Sequence, residues 1–266
     1  MQSIQEWIIP LIRQAGKTML EARNTDSGEN ITVKPGDANF VTVYDVAIQD
    51  FLMREIQKHI PTAFFIAEEQ ENDTSILSQE YCFLIDPIDG TTNFICNYHH
   101  SAISVAMFSY GTPVFGAVYD PYLNELFLAE RGKGAYLNGT PIHASERPLE
   151  LAVVAFGTAP YYKEQFSQKT FDLLKELFFS CADVRRCGSA ALDLAYLAAG
   201  RNDVFFEYRL SPWDIAAGAL LISEAGGVIS DMNGNPLDYN EPTPVIAASA
   251  QLYPIVLKKI QEKHLQ

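Results

Sequence analysis

The stretch Asp86-Pro87-Ile88-Asp89-Gly90-Thr91-Thr92-Asn93 constrains this chain more than any other, because it ends the apolar run Tyr81 to Ile85 in two carboxylates and a forced turn. A run apolar on both faces reads as a buried strand, so Asp86 emerges where buried backbone opens onto a cleft. Pro87 lacks the amide that would carry the ladder onward. Gly90 permits positive φ or close ligand approach, and the amides of Gly90, Thr91 and Thr92 can converge on an oxyanion where a helix starts. An isolated D-x-x-D is more often a solvated turn; the flanks and distant partners of this one favour a metal-and-phosphate site.

Two other segments bring carboxylates to element ends. Glu68 and Glu69 follow Phe64-Phe65-Ile66-Ala67, and Asp214 follows Trp213 at the head of an apolar helix. Carboxylates a few ångströms apart repel by about 4 kcal/mol at an effective dielectric near 20, so a cluster with Asp86 and Asp89 needs cations. Hard oxygen ligands without a Cys or His cluster suit Mg²⁺, with Mn²⁺ as a substitute, rather than structural zinc. Plainer readings exist for each: a solvated loop pair for Glu68-Glu69, a helix-start carboxylate for Asp214, core packing for Trp213, an N-cap for Asp45. A capping Asp45 can still accept a hydrogen bond from a threonine such as Thr91.

With 266 residues and 48% hydrophobic content, the chain can form one domain or two closely packed halves. Its 19 Lys and Arg against 33 acids, a net charge of -14, disfavour nucleic acid polymers and anionic membranes as partners. A small phosphorylated substrate then needs help from bound cations. The N-terminus shows no signal segment and no run approaches membrane-spanning length, which predicts a cytoplasmic protein. Cys82, Cys96, Cys181 and Cys187 lack C-x-x-C spacing, so buried reduced thiols are expected.

Ile4, Trp7, Ile8, Leu11, Ile12, Ala15 and Met19 predict an amphipathic first helix, with Pro10 as a late start or a kink. A loop is expected from Asn24 to Gly36, then a helix from Val46 to Ile60 with Asp45 as N-cap and Pro61 as its stop. Ala63 to Ala67 and Tyr81 to Ile85 read as buried strands, and Ser101 to Ile142 as an antiparallel meander turning at Tyr110-Gly111, Asp120 to Asn124 and Asn138-Gly139. Beyond Ser145-Glu146-Arg147-Pro148, strands near Leu151 to Gly157, Val204 to Tyr208 and Val245 to Ser249 alternate with helices near Lys163 to Phe179, Ser189 to Ala199 and Asp214 to Ala225. The expected division is therefore 1–147, an N-terminal half carrying most metal ligands, and 148–266, a C-terminal half carrying Asp214.

Other motifs fail. There is no G-x-x-x-x-G-K-[ST] loop; Asp231 to Pro236 has Pro where a calcium loop requires Gly, and reads as a hairpin turn. Gly132-Lys133-Gly134 sits among hairpins, and adjacent His99 and His100 would point to opposite faces of a strand, so joint chelation is not expected.

Taken together, Val41-Thr42-Val43-Tyr44-Asp45, Ala67-Glu68-Glu69, Asp86 to Phe94, Cys187-Gly188-Ser189-Ala190-Ala191 and Trp213-Asp214 through Gly226-Gly227 resemble the inositol monophosphatase family, Mg²⁺-dependent, lithium-sensitive sugar and polyol phosphatases, over nearly the whole chain. The resemblance implies an α+β fold, a layered α-β-α-β-α sandwich with an antiparallel N-terminal sheet and a mixed C-terminal half, and a homodimer. It implies that Glu68, Asp86 and the Ile88 carbonyl hold one metal, that Asp86, Asp89 and Asp214 hold a second, and that a third, weaker ion sits near Glu68. Glu69 and Asp45 take base-supporting roles, Thr91 orients the nucleophilic water, and the Gly90 and Thr91 amides receive phosphate. Glu207 meets substrate hydroxyls, with Asp89, Ser189 and Ala190 beside it, and Lys34 lies on a loop able to approach the metals. Two departures stand out: Ala67 where Gly usually precedes the glutamates, and Ile95-Cys96-Asn97-Tyr98-His99 after the main motif.

The implied activity is hydrolysis of an inositol, polyol or sugar monophosphate by in-line attack of metal-activated water. Within the same fold, 3'-phosphoadenosine, fructose-1,6-bisphosphate and NADP(H) phosphatases remain alternatives, as does a non-catalytic metal-binding homologue. An aspartyl-phosphate mechanism requires D-x-D, which Asp86 and Asp89 do not match.

Overall fold

The computed structural model describes residues 3–25, 31–33 and 40–262. Helix α1 (Ile4–Thr25) buries Ile8, Ile12, Ala15 and Met19 along one stripe and contains Pro10 in its interior, so the helix does not start late. The loop expected from Asn24 to Gly36 holds a short strand: β1 (Ile31–Val33) pairs antiparallel with β2 (Phe40–Thr42), both rich in β-branched residues. Lys34 lies outside the described residues.

Helix α2 (Val43–His59) begins ahead of the expected Val46, and its N-cap is Thr42, not Asp45. The Thr42 hydroxyl accepts the Tyr44 amide at 3.2 Å, while Asp45, at the third helical position, accepts the Thr42 amide at 2.8 Å. This reciprocal capping box corrects the sequence reading, in which Asp45 itself capped the helix.

Strands β3 (Phe64–Ala67) and β4 (Cys82–Asp89) pair in parallel. After the short α3 (Thr91–Ile95) comes the meander of β5 (Ala102–Ser109), β6 (Thr112–Asp120), β7 (Glu125–Glu130), β8 (Gly134–Leu137) and β9 (Thr140–Ile142). The seven strands form one sheet in sequence order, antiparallel beyond the first pair. Two hairpins turn through paired left-handed residues, Tyr110 (φ 49°) with Gly111 (φ 76°) and Asn138 (φ 48°) with Gly139 (φ 82°), the geometry that matches strand twist.

Period-two alternation gives this sheet two apolar faces. Phe83 and Ile85 join Ile103, Val105, Phe115 and Ala117 under α1 and α2, whereas Cys82 and Leu84 join Ala106, Phe108, Val118 and Phe127 on the opposite face. Strand β4 outlasts the expected end at Ile85: it runs to Asp89 through a register slip, with Asp86 opposite Ser104 and Asp89 opposite Ala102. Pro87 sits inside that irregularity, where a missing amide breaks no ladder bond.

The remaining chain forms β10 (Val153–Phe156), α4 (Lys163–Phe178), β11 (Asp183–Arg185), α5 (Ala190–Ala198), β12 (Val204–Leu210), α6 (Pro212–Glu224), β13 (Gly227–Ser230), β14 (Thr243–Ser249) and α7 (Tyr253–Glu262). Its sheet has the order β11-β10-β12-β14-β13, parallel among the first three and antiparallel around β14. Val204, Phe206 and Tyr208 pack with Leu173 and Leu177 of α4 and Val256 and Ile260 of α7. The alternate residue Phe205 joins Ala191, Leu194, Ile215 and Leu221 of α5 and α6, in one apolar cluster with Leu84 and Phe108 of the first sheet. The result is five layers: α1 and α2, the seven-stranded sheet, α5 and α6, the five-stranded sheet, then α4 and α7.

No described helix is long and apolar enough to cross a membrane. All four cysteines are free, but only Cys82 is buried; Cys96, just after α3, is exposed, and Cys181 and Cys187 are partly so. The expectation of four buried thiols therefore fails outside the strand.

Candidate active site

A cavity of about 430 Å³ opens where the first sheet's β4 end meets α5, α6 and β12. Asp86, Asp89 and Asp214 each present a carboxylate oxygen there, all within 4.8 Å of one another, and Glu68 lines the same space. Backbone amides aim these side chains. Asp86 Oδ1 accepts the Ile88 amide at 3.1 Å, Asp89 Oδ2 accepts the Ala191 amide at 2.8 Å, and Asp214 Oδ2 accepts the Ser211 amide at 2.7 Å. Asp214 thus occupies the third position of α6, as Asp45 does in α2.

The cluster is electrostatically incomplete. Burial, then the charges of Glu68, Asp89, Asp214 and Asp45, hold the Asp86 carboxyl well above the ordinary carboxylate range. Burial followed by Asp89 and Glu68 does the same to Asp214, which keeps part of its surface open to the cavity. Asp89 is raised by burial to about 6, held from rising further by hydrogen bonds from Ser189 and Ala191. Among the described residues, no Lys or Arg forms an ion pair with these three. Converging hard oxygens without a compensating cation fit a divalent ion such as Mg²⁺.

Around the carboxylates, Gly90 has φ 86°, and a Cβ there would lie 3.0 Å from the Gly188 carbonyl and 3.2 Å from that of His100. Only glycine fits this turn. Thr91 Oγ1 lies 3.2 Å from the Ile88 carbonyl and 3.4 Å from Asp45 Oδ1, the threonine contact anticipated for Asp45. Asp45 is fully buried behind the cavity, and the Glu69 amide donates to Gln49 Oε1 at 2.8 Å. Gly90, Thr91 and Ile88 line the cavity; Glu69 and Asp45 do not.

From the second sheet, Glu207 points inward because it alternates with Phe206 on β12. It is buried, accepts the Ala159 amide at 2.7 Å and has its carboxyl raised to about 7 by burial. Ser189 caps α5, accepting the Leu192 amide at 3.4 Å, and donates its hydroxyl to Asp89 Oδ2 across the seam. Ala190 completes that wall.

Sequence reasoning missed several lining residues: Gly157, Ala159, Tyr161, Tyr162, Arg186 and Arg209. The Arg209 guanidinium lies 4.4 Å from the centre of the Tyr162 ring, and Arg186 Nη2 donates to Thr158 Oγ1 at 3.2 Å. They place positive charge beside an acidic cluster, with no spacing signal except that Arg186 adjoins Cys187-Gly188-Ser189. Trp213, read as more often core, lines the cavity. His99 and His100 lie in a connection rather than a strand; His99 stacks on Tyr122 at 4.9 Å and neither lines the cavity.

The layered sandwich is shared with known proteins. The inositol monophosphatase family model matches residues 1–265. Nus factor SuhB of Escherichia coli K12 is 39% identical over 252 residues, which cover 94% of this chain and 93% of the relative. Two solved structures align closely: extragenic suppressor protein suhB of Bartonella henselae, at 33% identity and a TM-score of 0.88 over 97% of this chain and 98% of its own, and the Thermotoga maritima IMPase, at 32% and 0.86 over 97% of both chains. The chain belongs to the inositol monophosphatase family.

Proposed function

We propose that this protein is a Mg²⁺-dependent phosphate monoester hydrolase acting on an inositol phosphate or a related polyol or sugar monophosphate. The observation that carries this reading is the convergence of Asp86, Asp89 and Asp214 within 4.8 Å, beside Thr91 and Glu207. Glu68, Asp86, the Ile88 carbonyl, Asp89 and Asp214 would hold two ions, with a third near Glu68. Bound Mg²⁺ supplies Lewis-acid charge to phosphoryl oxygens and lowers the pKa of water.

The chain's own groups do the positioning. Thr91 Oγ1, donating toward Asp45 Oδ1 or the Ile88 carbonyl, keeps a lone pair for the attacking water and so orients its oxygen toward phosphorus. Asp45, with Glu69 in support, receives the charge change at that hydroxyl. The Gly90 and Thr91 amides take phosphate oxygens, and Glu207 accepts a substrate hydroxyl, with Ser189 and Ala190 beside it. Arg186 and Arg209 draw the anionic substrate inward against the chain's overall charge.

Phosphate release from a panel of inositol monophosphates, fructose bisphosphate, adenosine bisphosphate and NADP tests this, with Mg²⁺, Mn²⁺, chelator and Li⁺ arms. Mg²⁺-dependent, Li⁺-inhibited release from a polyol phosphate is expected; binding of metal without release from any ester would overturn it. A second reading rests on the SuhB relatives, which are named Nus factors: the chain acts in that capacity independently of turnover. A net charge of -14 favours reaching any such assembly through protein rather than nucleic acid. We further take the protein to be a cytoplasmic homodimer divided near residue 147.

A further inference from the structure

Apart from the acidic cavity, a second group of ligating side chains is gathered among the described residues: His100, Cys187 and Asp193 each offer a ligand atom, all within 4.8 Å of one another. They come from three places: the α3 to β5 connection, the turn before α5, and the first turn of α5. Two of the atoms are buried with no hydrogen-bond partner, His100 Nε2 and Asp193 Oδ1. The Asp193 side chain is only 1% exposed. Leaving such atoms unsatisfied is costly; the Asp193 carboxyl otherwise meets the Cys187 thiol as a hydrogen-bond partner.

The backbone beneath the cluster is tied. Asn93 Nδ2 donates to the His100 carbonyl and to the Cys187 carbonyl, each at 2.8 Å, so one side-chain amide clamps two of the three ligand-bearing segments together. The Asp193 amide donates to the Ser189 carbonyl at 3.0 Å, and the His100 ring packs edge-on against Tyr196 at 5.8 Å. Burial, then the Asp193 charge, raises the Cys187 thiol to about 11, and burial, then the charges of Asp89 and Glu207, raises the Asp193 carboxyl well above its ordinary range.

We propose that His100, Cys187 and Asp193 form a binding site for a zinc-class transition metal ion, adjoining the acidic cavity and sharing Asp193 with its wall. An imidazole, a thiolate and one carboxylate are a borderline-to-soft donor set that selects Zn²⁺ over Mg²⁺. Bond lengths of roughly 2.0–2.3 Å bring tetrahedral ligand atoms to about 3.3–3.8 Å from one another, so small rotamer adjustments close the set. Binding replaces the thiol proton, which passes to solvent, and leaves a fourth position for water. No motif announces the site, because His100 precedes the other two ligands by about a third of the chain. Asp193 also lines the phosphate cavity, and Cys187 leads into the Ser189 that holds Asp89, so an ion here pins the wall of the neighbouring site.

The test uses the full chain with the acidic cavity saturated by Mg²⁺. Titration with Co²⁺, a spectroscopic stand-in for Zn²⁺, is expected to give a thiolate-to-cobalt charge-transfer band at one equivalent, lost in Cys187→Ser and weakened in Asp193→Asn. On the unsubstituted chain, Zn²⁺ is expected to slow iodoacetamide labelling of Cys187 severalfold, read by peptide mass spectrometry, while exposed Cys96 labels at its former rate. Absence of the band, its persistence in Cys187→Ser, or equal labelling of Cys187 with and without Zn²⁺ would overturn the proposal. The labelling arm needs no variant, so a substitution that unfolds the chain does not rescue the idea.

Discussion

The Ser189 hydroxyl donates to Asp89 Oδ2, joining the N-terminus of α5 to the end of β4. One oxygen of a proposed metal ligand is thus oriented by a residue of the other sheet's helical layer. Ser189→Ala removes that donor and the cap of α5 together. Mg²⁺ activation curves should shift to severalfold higher concentration, and chemical denaturation should show a loss of about 1 kcal/mol from the cap.

Asp89→Asn keeps the shape of the side chain and removes its charge from the cluster. Turnover should fall by about a thousandfold or more, the several kcal/mol that metal positioning supplies, with circular dichroism unchanged. Near-native turnover in Mg²⁺ would remove Asp89 from the mechanism.

A Cβ at Gly157 would stand 1.8 Å from Glu207 Oε2. Gly157→Ala must therefore push the Glu207 carboxylate off the Ala159 amide, at a cost of about 1–3 kcal/mol for overpacking. If Glu207 meets substrate hydroxyls, KM for the polyol ester rises more than kcat falls. An unchanged KM would leave Glu207 as a structural carboxylate.

Glu207 also predicts a pH dependence. Its carboxyl is raised by burial from an ordinary 4.5 to about 7, so between those values the folded chain binds more proton than the unfolded one. Stability accordingly falls as pH rises through that window, and the penalty is complete above it. Glu207→Gln should flatten this limb relative to the parent and gain up to about 3 kcal/mol at pH 8, at 1.36 kcal/mol per unit. Denaturation in parallel series from pH 4.5 to 8, at fixed Mg²⁺, measures the difference; identical curves would contradict it.

Much of this arrangement is written in local pattern. The meander is legible because Tyr110-Gly111 and Asn138-Gly139 are turn chemistry between alternating strands, and the Asp86 to Asn93 motif because Gly90 and Pro87 leave few conformations open. What escaped detection depended on partners distant in sequence. Strand β11 has one apolar residue, Val184, and exists by pairing with β10; β13 opens with Gly227 and is defined by its partner β14. Asp45 was misplaced in its cap because Thr42 and Asp45 both have capping chemistry, and only the reciprocal bond decides which residue caps. Arg186, Arg209 and Tyr162 give no periodic or spacing signal, since their role arises from where a second sheet lays them.

Asp45 and Asp214 each spend one oxygen on the amide that initiates their own helix. The aim of two carboxylates at the proposed reaction centre is therefore inherited from helix nucleation instead of being set afterwards by side-chain packing. Drift at either position is penalised twice, once in the capping of a helix and once in the proposed chemistry.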